Sequence, residues 1–237
     1  MEHMKDRFQT QMIEEFPLLK ETAPDTLRKL RKFGKVQEFP KGSLVIRAKE
    51  PLEYIYIQID GKSIVYNLTH TGKRKILFVF GHGALLNEHV LNEHNSAMYC
   101  ETIEKSRIFI ISADCFVRCM EQDFALTRAV LTAQERKVWR LGHQLKNTMG
   151  SIYMERKLAA KLWKLARDFG VNVPEGIEIN INLSVTLLAD MLGAPRETAS
   201  RLCRTLVDYK LIQMKGKRII ILDPRKISAF YRTGEIT

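Results

Sequence analysis

The spacing of hydrophobic residues changes twice along the chain and predicts three kinds of structure. Over the first thirty residues the spacing is helical and interrupted by prolines, which predicts two short helices. Between Val36 and Ile111, short apolar runs alternate with turn residues, a pattern typical of short strands in a small antiparallel barrel or sandwich. The runs are Leu44–Ile46, Tyr54–Ile57, Ile64–Tyr66, Ile76–Phe80 and Ile108–Ile111, with turns at Lys41-Gly42, Asp60-Gly61, Thr71-Gly72 and Gly81–Gly83.

After Asp114 the pattern predicts one long helix, over about residues 114–148. No proline occurs between Pro51 and Pro174, and no glycine between Gly83 and Gly142. A seam with a period of about 3.5 residues is typical of a helix that pairs with a second copy of itself. A helix lying flat on its own barrel is the alternative. The predicted dimer interface comprises Phe124, Leu131, Val138, Leu141 and Leu145.

A second domain is predicted beyond a hinge at Met149–Ser151, where Ser151 is a candidate helix cap. Its first helix has an apolar stripe, and a strand follows at Ile177–Asn182. Two short helices, a tight turn between them and a hairpin complete the pattern. The stripe comprises Tyr153, Leu158, Leu162, Leu165 and Ala166; the later elements are Ser184–Leu192, Gly193-Ala194, Pro195–Tyr209 and Leu211–Leu222, which reverses at Lys215–Lys217.

The two short helices predict a helix-turn-helix. Ser184 is a plausible N-cap for the first helix, Gly193 permits the positive φ of the turn, and Pro195 suits the first position of the second helix. The second helix opens with long polar side chains that can bond base edges, since arginine pairs with guanine and glutamate with the cytosine amino group. The predicted DNA-binding residues are Arg196, Glu197, Thr198, Ser200 and Arg201, with Ser184 and the wing cations Lys215, Lys217 and Arg218.

Charge and composition favour a nucleic-acid partner. The 237 residues include 38 Lys+Arg and 27 Asp+Glu, a net charge of +11, of which +6 lies from Gly150 onward. The four cysteines form no Cys-x-x-Cys pair, so a zinc ribbon is excluded. The sequence has neither a signal peptide nor an apolar run of membrane-spanning length, so we expect a soluble, cytoplasmic protein.

The segment Ser184–Leu206 resembles the DNA-binding motif of the CRP/FNR family of bacterial transcription regulators. Arg156–Ala166 resembles the helix that opens that family's winged domain, and the Phe16–Leu19 entry and long helix fit its effector barrel and dimer helix. The resemblance implies an α+β fold: a cyclic-nucleotide-binding-like β-roll or jelly-roll barrel, a long dimerisation helix and a C-terminal winged helix-turn-helix. The implied domains are residues 1–112, 113–149 and 150–237.

The resemblance also implies the partners. Arg196, Glu197 and Arg201 match the base readers of the cyclic-AMP receptor branch, whereas Glu197, Ser200 and Arg201 match those of the oxygen-sensing branch. The resemblance therefore leaves two DNA half-sites open, a TGTGA-like and a TTGAT-like sequence. A homodimer would bind an inverted repeat in promoter DNA. RNA polymerase and a small-molecule effector are the other implied partners, and no enzymatic activity or bound cofactor is expected.

The effector segment departs from the cyclic-nucleotide branch. Glu88 keeps the expected acid, but Asn87 replaces a glycine and Asn95 replaces the arginine that pairs with the cyclic phosphate. Cyclic AMP is therefore disfavoured, because the phosphate would lack its bidentate partner. An organic effector of unknown identity is expected instead. The candidate effector-binding residues are Gly83, Leu86, Asn87, Glu88, Ser96 and Ala97.

Several alternatives stay open. His82, His89 and His94 are candidate haem or metal ligands, and Cys115 and Cys119 are one helical turn apart, as a redox switch would require. An iron–sulfur cluster needs several thiolates, which the resemblance implies near the N-terminus, and it is not expected because the first cysteine is Cys100. Two other classes of function are a sensor module acting through a protein partner and an architectural DNA binder without sequence preference. No nucleophile elbow, phosphate loop or His-Glu-x-x-His motif supports an enzyme.

Overall fold

The computed structural model describes residues 16–91, 95–146 and 153–235. The chain forms two compact units: Met1–Leu68 with Ile76–Gly142, and Thr69–Lys75 with His143–Thr237. The first of the two predicted N-terminal helices and the predicted hinge at Met149–Ser151 lie outside the described residues. The domain boundaries at 112/113 and 149/150 stay predictions.

Seven antiparallel strands build two sheets from the N-terminal part of the chain. One sheet has the order β1-β7-β3 and the other β2-β6-β4-β5. Each of the five predicted apolar runs lies in a strand, whereas β1 and β6 were not predicted as separate runs. The strands are β1 Lys35–Phe39, β2 Leu44–Ile46, β3 Tyr54–Asp60, β4 Ser63–Leu68, β5 Arg74–Phe80, β6 Tyr99–Thr102 and β7 Ser106–Ser112.

The two sheets share one hydrophobic core. Ile46 on β2, Val65 on β4 and Cys100 on β6 pack with Ile108 and Ile110 of β7, which belongs to the other sheet. A second cluster joins the β1-β7-β3 sheet to the helices α1 Pro24–Phe33, α2 Ala113–Gln122 and α3 Phe124–Lys146. The antiparallel barrel or sandwich predicted from the short strands is therefore confirmed as a two-sheet β-roll covered by helices.

The prediction of one continuous helix over residues 114–148 is wrong. Asp123 interrupts it with an extended backbone (φ −136°, ψ 99°), so α2 ends at Gln122 and α3 begins at Phe124. The Asp123 Oδ1 atom accepts hydrogen bonds from the main-chain N–H groups of Ala125 (3.0 Å) and Leu126 (3.3 Å), as an N-cap does. Its Oδ2 atom accepts from Ala23 N at 2.8 Å. The aspartate therefore starts a new helix where the apolar spacing alone predicts continuity.

The C-terminal part is a winged helix-turn-helix. A sheet of order β10-β11-β9-β8 packs with two of the four helices in this part of the chain, and the other two pack against those helices. The predicted strand at Ile177–Asn182 ends at Ile179, and Tyr153, predicted in the apolar stripe, is 69% exposed and precedes the helix. Strand β8 and helix α7 were not predicted. The elements are α4 Met154–Phe169, β8 Gly170–Val173, β9 Gly176–Ile179, α5 Val185–Leu192, α6 Arg196–Asp208, β10 Ile212–Lys215, β11 Arg218–Ile221 and α7 Pro224–Thr233.

Among the described helices, none combines the length and the apolar character needed to span a bilayer.

Candidate nucleic-acid interface and effector segment

Helices α5 and α6 meet at a tight turn whose geometry depends on three residues. The Ser184 hydroxyl accepts a hydrogen bond from Leu187 N at 3.1 Å, which confirms it as the N-cap of α5. Gly193 adopts φ 69° and ψ 38°, a left-handed conformation that side chains disfavour, and its N–H bonds Ala189 O at 2.8 Å. The chain therefore turns sharply after α5 and can start a second helix three residues later.

Pro195 precedes helix α6, whereas the prediction made it the first residue of that helix. Its ψ of 149° is extended, so it is the N-cap residue of α6 and the first helical residue is Arg196. Its carbonyl nevertheless accepts the first helical hydrogen bond, from Ala199 N at 3.1 Å. The proline ring therefore fixes the entry to α6 without removing a helical N–H donor.

Helix α6 has one buried face and one exposed polar face. The buried residues Ala199, Leu202, Cys203 and Leu206 are at most 5% exposed and anchor the helix to the domain core. Arg196, Glu197 and Arg201 are all exposed. Their side chains form no hydrogen bond or ion pair with any residue that the structure describes. The three predicted base readers are thus presented to solvent with their polar groups free for a ligand.

The same face includes one residue that the sequence prediction missed. Arg204 is exposed, four residues after Ser200 and seven after Glu197, so it lies on their side of the helix. Ser200 and Thr198 are half-buried at the edges of this face. Helical spacing from the predicted readers would have identified Arg204. Its addition gives α6 three exposed arginines around one glutamate.

The wing cations differ in their surroundings. Lys215 Nζ pairs with Glu175 Oε1 at 2.6 Å, and this hydrogen bond lowers the pKa of the Glu175 carboxyl. Arg218 donates to Asn180 Oδ1 at 2.6 Å. Lys217, at the hairpin turn, is exposed and forms no side-chain bond within the described chain. Lys217 is therefore the wing cation most readily offered to a phosphate.

In the effector segment, Asn87 has a structural role. It is completely buried, and its side chain bridges β3 by accepting from Tyr56 N at 2.7 Å and donating to Tyr54 O at 2.8 Å. Both polar atoms of the amide are used in this bridge. Asn87 therefore fixes the segment to the sheet, and its complete burial keeps the amide from a ligand.

Four of the six candidate effector residues lie together. The Glu88 carboxylate accepts hydrogen bonds from the Ser96 hydroxyl at 2.9 Å and from Ala97 N, next to the Asn87 bridge. The hydroxyl and N–H donors that could receive an anion are thus occupied by the chain's own carboxylate. The other two candidates lie elsewhere: Leu86 is buried in the core shared by the sheets, and Gly83 packs on Pro17.

Two side chains of helix α3 donate hydrogen bonds to the main chain of the same segment. Lys137 Nζ donates to the main-chain oxygen of Asn87 at 2.6 Å, and Gln134 Nε2 donates to the main-chain oxygen of Glu88 at 3.2 Å. Burial lowers the pKa of Lys137 to about 8, although Cys100 and Glu88 oppose that shift. A polar contact therefore links the effector segment to the helix that carries the predicted dimer seam.

The residues behind the metal and redox alternatives are dispersed or buried. His82 Nδ1 lies 2.7 Å from Ile59 O, His89 lies 3.6 Å from Glu88, and His94 is outside the described residues. No group of three potential ligands that could hold a metal ion occurs in the described part of the chain. Cys119 is buried beside Cys115, and burial raises the pKa of its thiol.

Two family models match successive parts of the chain. The model of the cyclic nucleotide-binding domain matches residues 36–123, which contain the two sheets and α2. The model of the Crp-like helix-turn-helix domain matches residues 156–230, which contain α5, α6 and the wing. The order of the two matched domains is that of an N-terminal sensor followed by a DNA-binding domain.

Curated relatives and solved structures cover most of the chain. The "Probable transcriptional regulator flp" of Lacticaseibacillus casei is 28% identical over 82% of this chain and 86% of its own. The global nitrogen regulator of Synechococcus elongatus is 23% identical over 81% and 88%.

Two solved structures are similar in fold. A CooA mutant from Carboxydothermus hydrogenoformans has a TM-score of 0.72 at 19% identity, covering 85% of this chain and 89% of its own. FixK2 from Bradyrhizobium japonicum has a TM-score of 0.72 at 17% identity, covering 82% and 96%. With both domain models matched in order and regulators of transcription among its relatives, the chain belongs to the CRP/FNR family of transcriptional regulators.

Proposed function

We propose that this regulator acts as a homodimer that reads an inverted-repeat promoter site with helix α6 of each subunit. A small organic effector other than cyclic AMP, bound in the N-terminal domain, would control its affinity for DNA. The single observation that carries the proposal is the exposed face of α6, where Arg196, Glu197 and Arg201 have no partner among the described residues.

The chemistry of that face suits a major groove. A guanidinium group can donate two hydrogen bonds to guanine O6 and N7, and a carboxylate can accept from cytosine N4. Glu197 would lose hydration without compensation if it faced a phosphate, so its position between Arg196 and Arg201 favours base contacts. The N-cap of α5 at Ser184 and the wing residue Lys217 are available for backbone contacts that fix the register.

The homodimer is supported by an apolar stripe on α3. Phe124, Leu131, Val138 and Leu145 are 75%, 49%, 69% and 62% exposed, and Leu141 lies beside them. Their seven-residue spacing keeps them on one side of the helix. Burying a large aliphatic side chain contributes about 1.5–3 kcal/mol, so a helix of this kind gains stability by pairing. A second copy of α3 presents the same stripe and fits it by symmetry.

The proposed exclusion of cyclic AMP rests on the Glu88 carboxylate. It accepts from the Ser96 hydroxyl and from Ala97 N, the donors that a phosphate would need, and two negative groups would repel each other there. Asn95, where the resemblance expects an arginine, offers no positive charge. An effector that lacks a phosphate would leave this arrangement intact.

Binding-site selection from random duplex DNA tests the proposal directly. We expect the purified protein to enrich an inverted repeat whose half-sites are centred about 10–10.5 base pairs apart. Parallel selections with cyclic AMP and with small-molecule extracts test the effector: cyclic AMP should change nothing, and an extract should alter the yield. Enrichment of single half-sites would argue against the dimer. Equal retention of all sequences under every condition would identify a binder without sequence preference.

A further inference from the structure

A cavity of about 550 Å³ lies within the N-terminal unit, and Gly83 is the one candidate effector residue among those that line it. The segment Pro17–Glu21, the loop Phe80–Leu85 and the side of α3 from Ala125 to Arg140 form its walls. Glu88, Ser96 and Ala97 do not line it. Its volume falls within the range of about 300–1,000 Å³ that is usual for small-molecule sites.

Helix α3 supplies two parallel rows of side chains to this cavity. Ala125, Ala129 and Ala133, each four residues apart, leave a shallow apolar floor because their side chains are small. The neighbouring row consists of Arg128, Thr132, Arg136 and Arg140, again four residues apart. Leu18, Leu85 and the Phe80 ring, from the two other segments that line the cavity, add to this apolar surface. The cavity is therefore apolar along one side and cationic along the other.

The charges around the cavity are strongly unequal. Lys20, Arg128, Arg136, Lys137 and Arg140 line it, against the single carboxylate of Glu21. That carboxylate is already paired with Arg128, and Lys137 Nζ bonds the main-chain oxygen of Asn87. The side chains of Lys20 and Arg136 have no hydrogen-bond or ion-pair partner in the part of the chain that the structure describes. Two cations at this cavity thus lack a counter-charge from any described residue.

We propose that this cavity binds an organic anion that has an apolar body. Its acidic head group pairs with Arg136 and Lys20, and its body lies on the alanine row of α3. A guanidinium group beside an apolar surface suits a carboxylate, sulfonate or phosphate head, since charge-assisted hydrogen bonds are the strong ones. An uncharged apolar molecule would leave Lys20 and Arg136 without a partner, and a small inorganic anion would leave the alanine row uncovered.

The proposal does not rest on DNA binding or dimerisation. Arg136, to which the proposal assigns the anion, and Val138 of the apolar stripe lie on different sides of α3, because they are separated by about 200° around the helix axis. An anion in the cavity would contact α3 and the loop Phe80–Leu85, which leads to Asn87 and Glu88. A failure to bind the anion would leave the proposed DNA recognition untouched, and the reverse also holds.

Titration of the full-length protein with anilinonaphthalene sulfonate, an organic anion with an apolar body, tests the proposal. We expect saturable fluorescence that octanoate displaces, whereas octanol at the same concentration does not, because octanol lacks the charge. The Arg136→Gln variant should bind about tenfold more weakly, since one charge-assisted pair is lost. Thr132→Phe should also weaken binding, because its ring would fill the cavity beside the arginine row.

The Arg118→Gln variant is the matched control, because it removes an exposed arginine from α2, which does not line the cavity. Its affinity should equal that of the unaltered protein. Unfolding temperatures identify any variant that is damaged overall; if Arg136→Gln is damaged, Lys20→Gln takes its place. The proposal is overturned if the unaltered protein shows no saturable binding, if octanol displaces the dye as well as octanoate does, or if folded Arg136→Gln and Thr132→Phe proteins bind like the control.

Discussion

Single residues in this molecule divide into those whose polar groups are already bonded and those whose polar groups are free. Asn87 is completely buried and both polar atoms of its amide bond β3, whereas the side chains of Arg196 and Arg201 are exposed without a partner among the described residues. Sequence alone assigns both kinds to candidate sites, because residue type does not reveal which bonds the fold has already made. Solvent exposure and bonding together therefore sharpen the assignment: they favour α6 as a binding face and identify Asn87 as structural.

At the residue scale, Arg201→Ala should weaken binding to the selected site by about 1–3 kcal/mol and relax preference at one base pair. The reason is the loss of a bidentate contact to a base edge. The affinity for the selected site gives the loss of binding free energy, and the affinity for each single-base variant of that site gives the base preference. Both are measured at one fixed salt concentration.

Arg167→Ala is the matched control, because it removes an exposed arginine from α4 in the same domain. It should weaken all sequences equally and only slightly. If Arg201→Ala also weakens all sequences equally, Arg201 contacts the DNA backbone and is not a base reader.

A second prediction at this scale concerns Lys137, whose pKa burial lowers to about 8. An unfolded lysine has a pKa of about 10.4, so between these values the unfolded chain binds more protons than the folded one. The free energy of unfolding should therefore rise as the pH increases from about 8 to about 10. In Lys137→Met this rise should be reduced, and in Lys41→Met, which removes an exposed lysine, it should be unchanged. Denaturant titrations at several pH values in this range measure the free energy of unfolding. The prediction is contradicted if that free energy changes equally with pH in all three proteins.

At the scale of elements, apolar spacing predicted most strands and helices but failed where a polar side chain determines a boundary. The five apolar runs became strands because each supplies residues to a buried face. The break at Asp123 was missed because the apolar period continues through it, and only the cap bonds to Ala125 and Leu126 reveal it. Helix α7 was missed although Asp223 caps it and Pro224 opens it, a pair that is a recognised start signal.

The candidate sites also include features that the sequence predicts and features that only the fold reveals. The readers on α6 could be predicted because the turn at Gly193 and the buried Leu202 and Leu206 fix which face is exposed. The bonds of the Glu88 carboxylate to Ser96 and Ala97 could not be predicted, since they join residues from two arms of a loop. The cationic cavity was also missed, because its walls come from segments that are distant in sequence. Local chemistry can be read from the chain, but contacts across loops require the fold.

Asp123 gives a prediction for the junction between α2 and α3. Burial alone would raise its pKa, but hydrogen bonds from the N–H groups of Ala23, Leu126 and Ala125 and from the Thr26 side chain outweigh burial and lower it. Asp123→Ala should reduce the free energy of unfolding by about 2 kcal/mol, because the α3 cap is lost and Ala23 N is left without its acceptor.

The sign of the pH effect follows from the lowered pKa of Asp123. The stabilisation is fully present above the unfolded pKa of about 3.9 and is lost as the pH falls through the folded value below it. Denaturant titrations at neutral and acidic pH measure both effects. Glu121→Ala, which removes an exposed carboxylate from α2, should show neither. An Asp123→Ala protein as stable as this control would mean that the helix break does not depend on the cap.

At the scale of the whole molecule, the proposed function requires that an event in the N-terminal domain alters DNA binding by the C-terminal domain. Within the N-terminal unit, Lys137 and Gln134 on α3 bond the main chain of Asn87 and Glu88. A ligand that displaces this segment would disturb the same helix that carries the apolar stripe. Pairing of α3 would then depend on the effector, and an effector that binds only one of two states would shift the population between them.

Val138→Glu tests whether that helix pairs in solution. Val138 is 69% exposed within the apolar stripe, so a charge there costs the isolated chain little but would be buried against its partner in a dimer. We expect sedimentation to show a monomer, with affinity for the inverted repeat reduced at least tenfold while binding to a single half-site is retained, because α6 is unchanged. Phe33→Glu introduces the same charge at a residue that is 57% exposed on α1, and it should leave the dimer intact. A Val138→Glu protein that sediments as a dimer and binds the inverted repeat normally would place the dimer contact away from the α3 stripe.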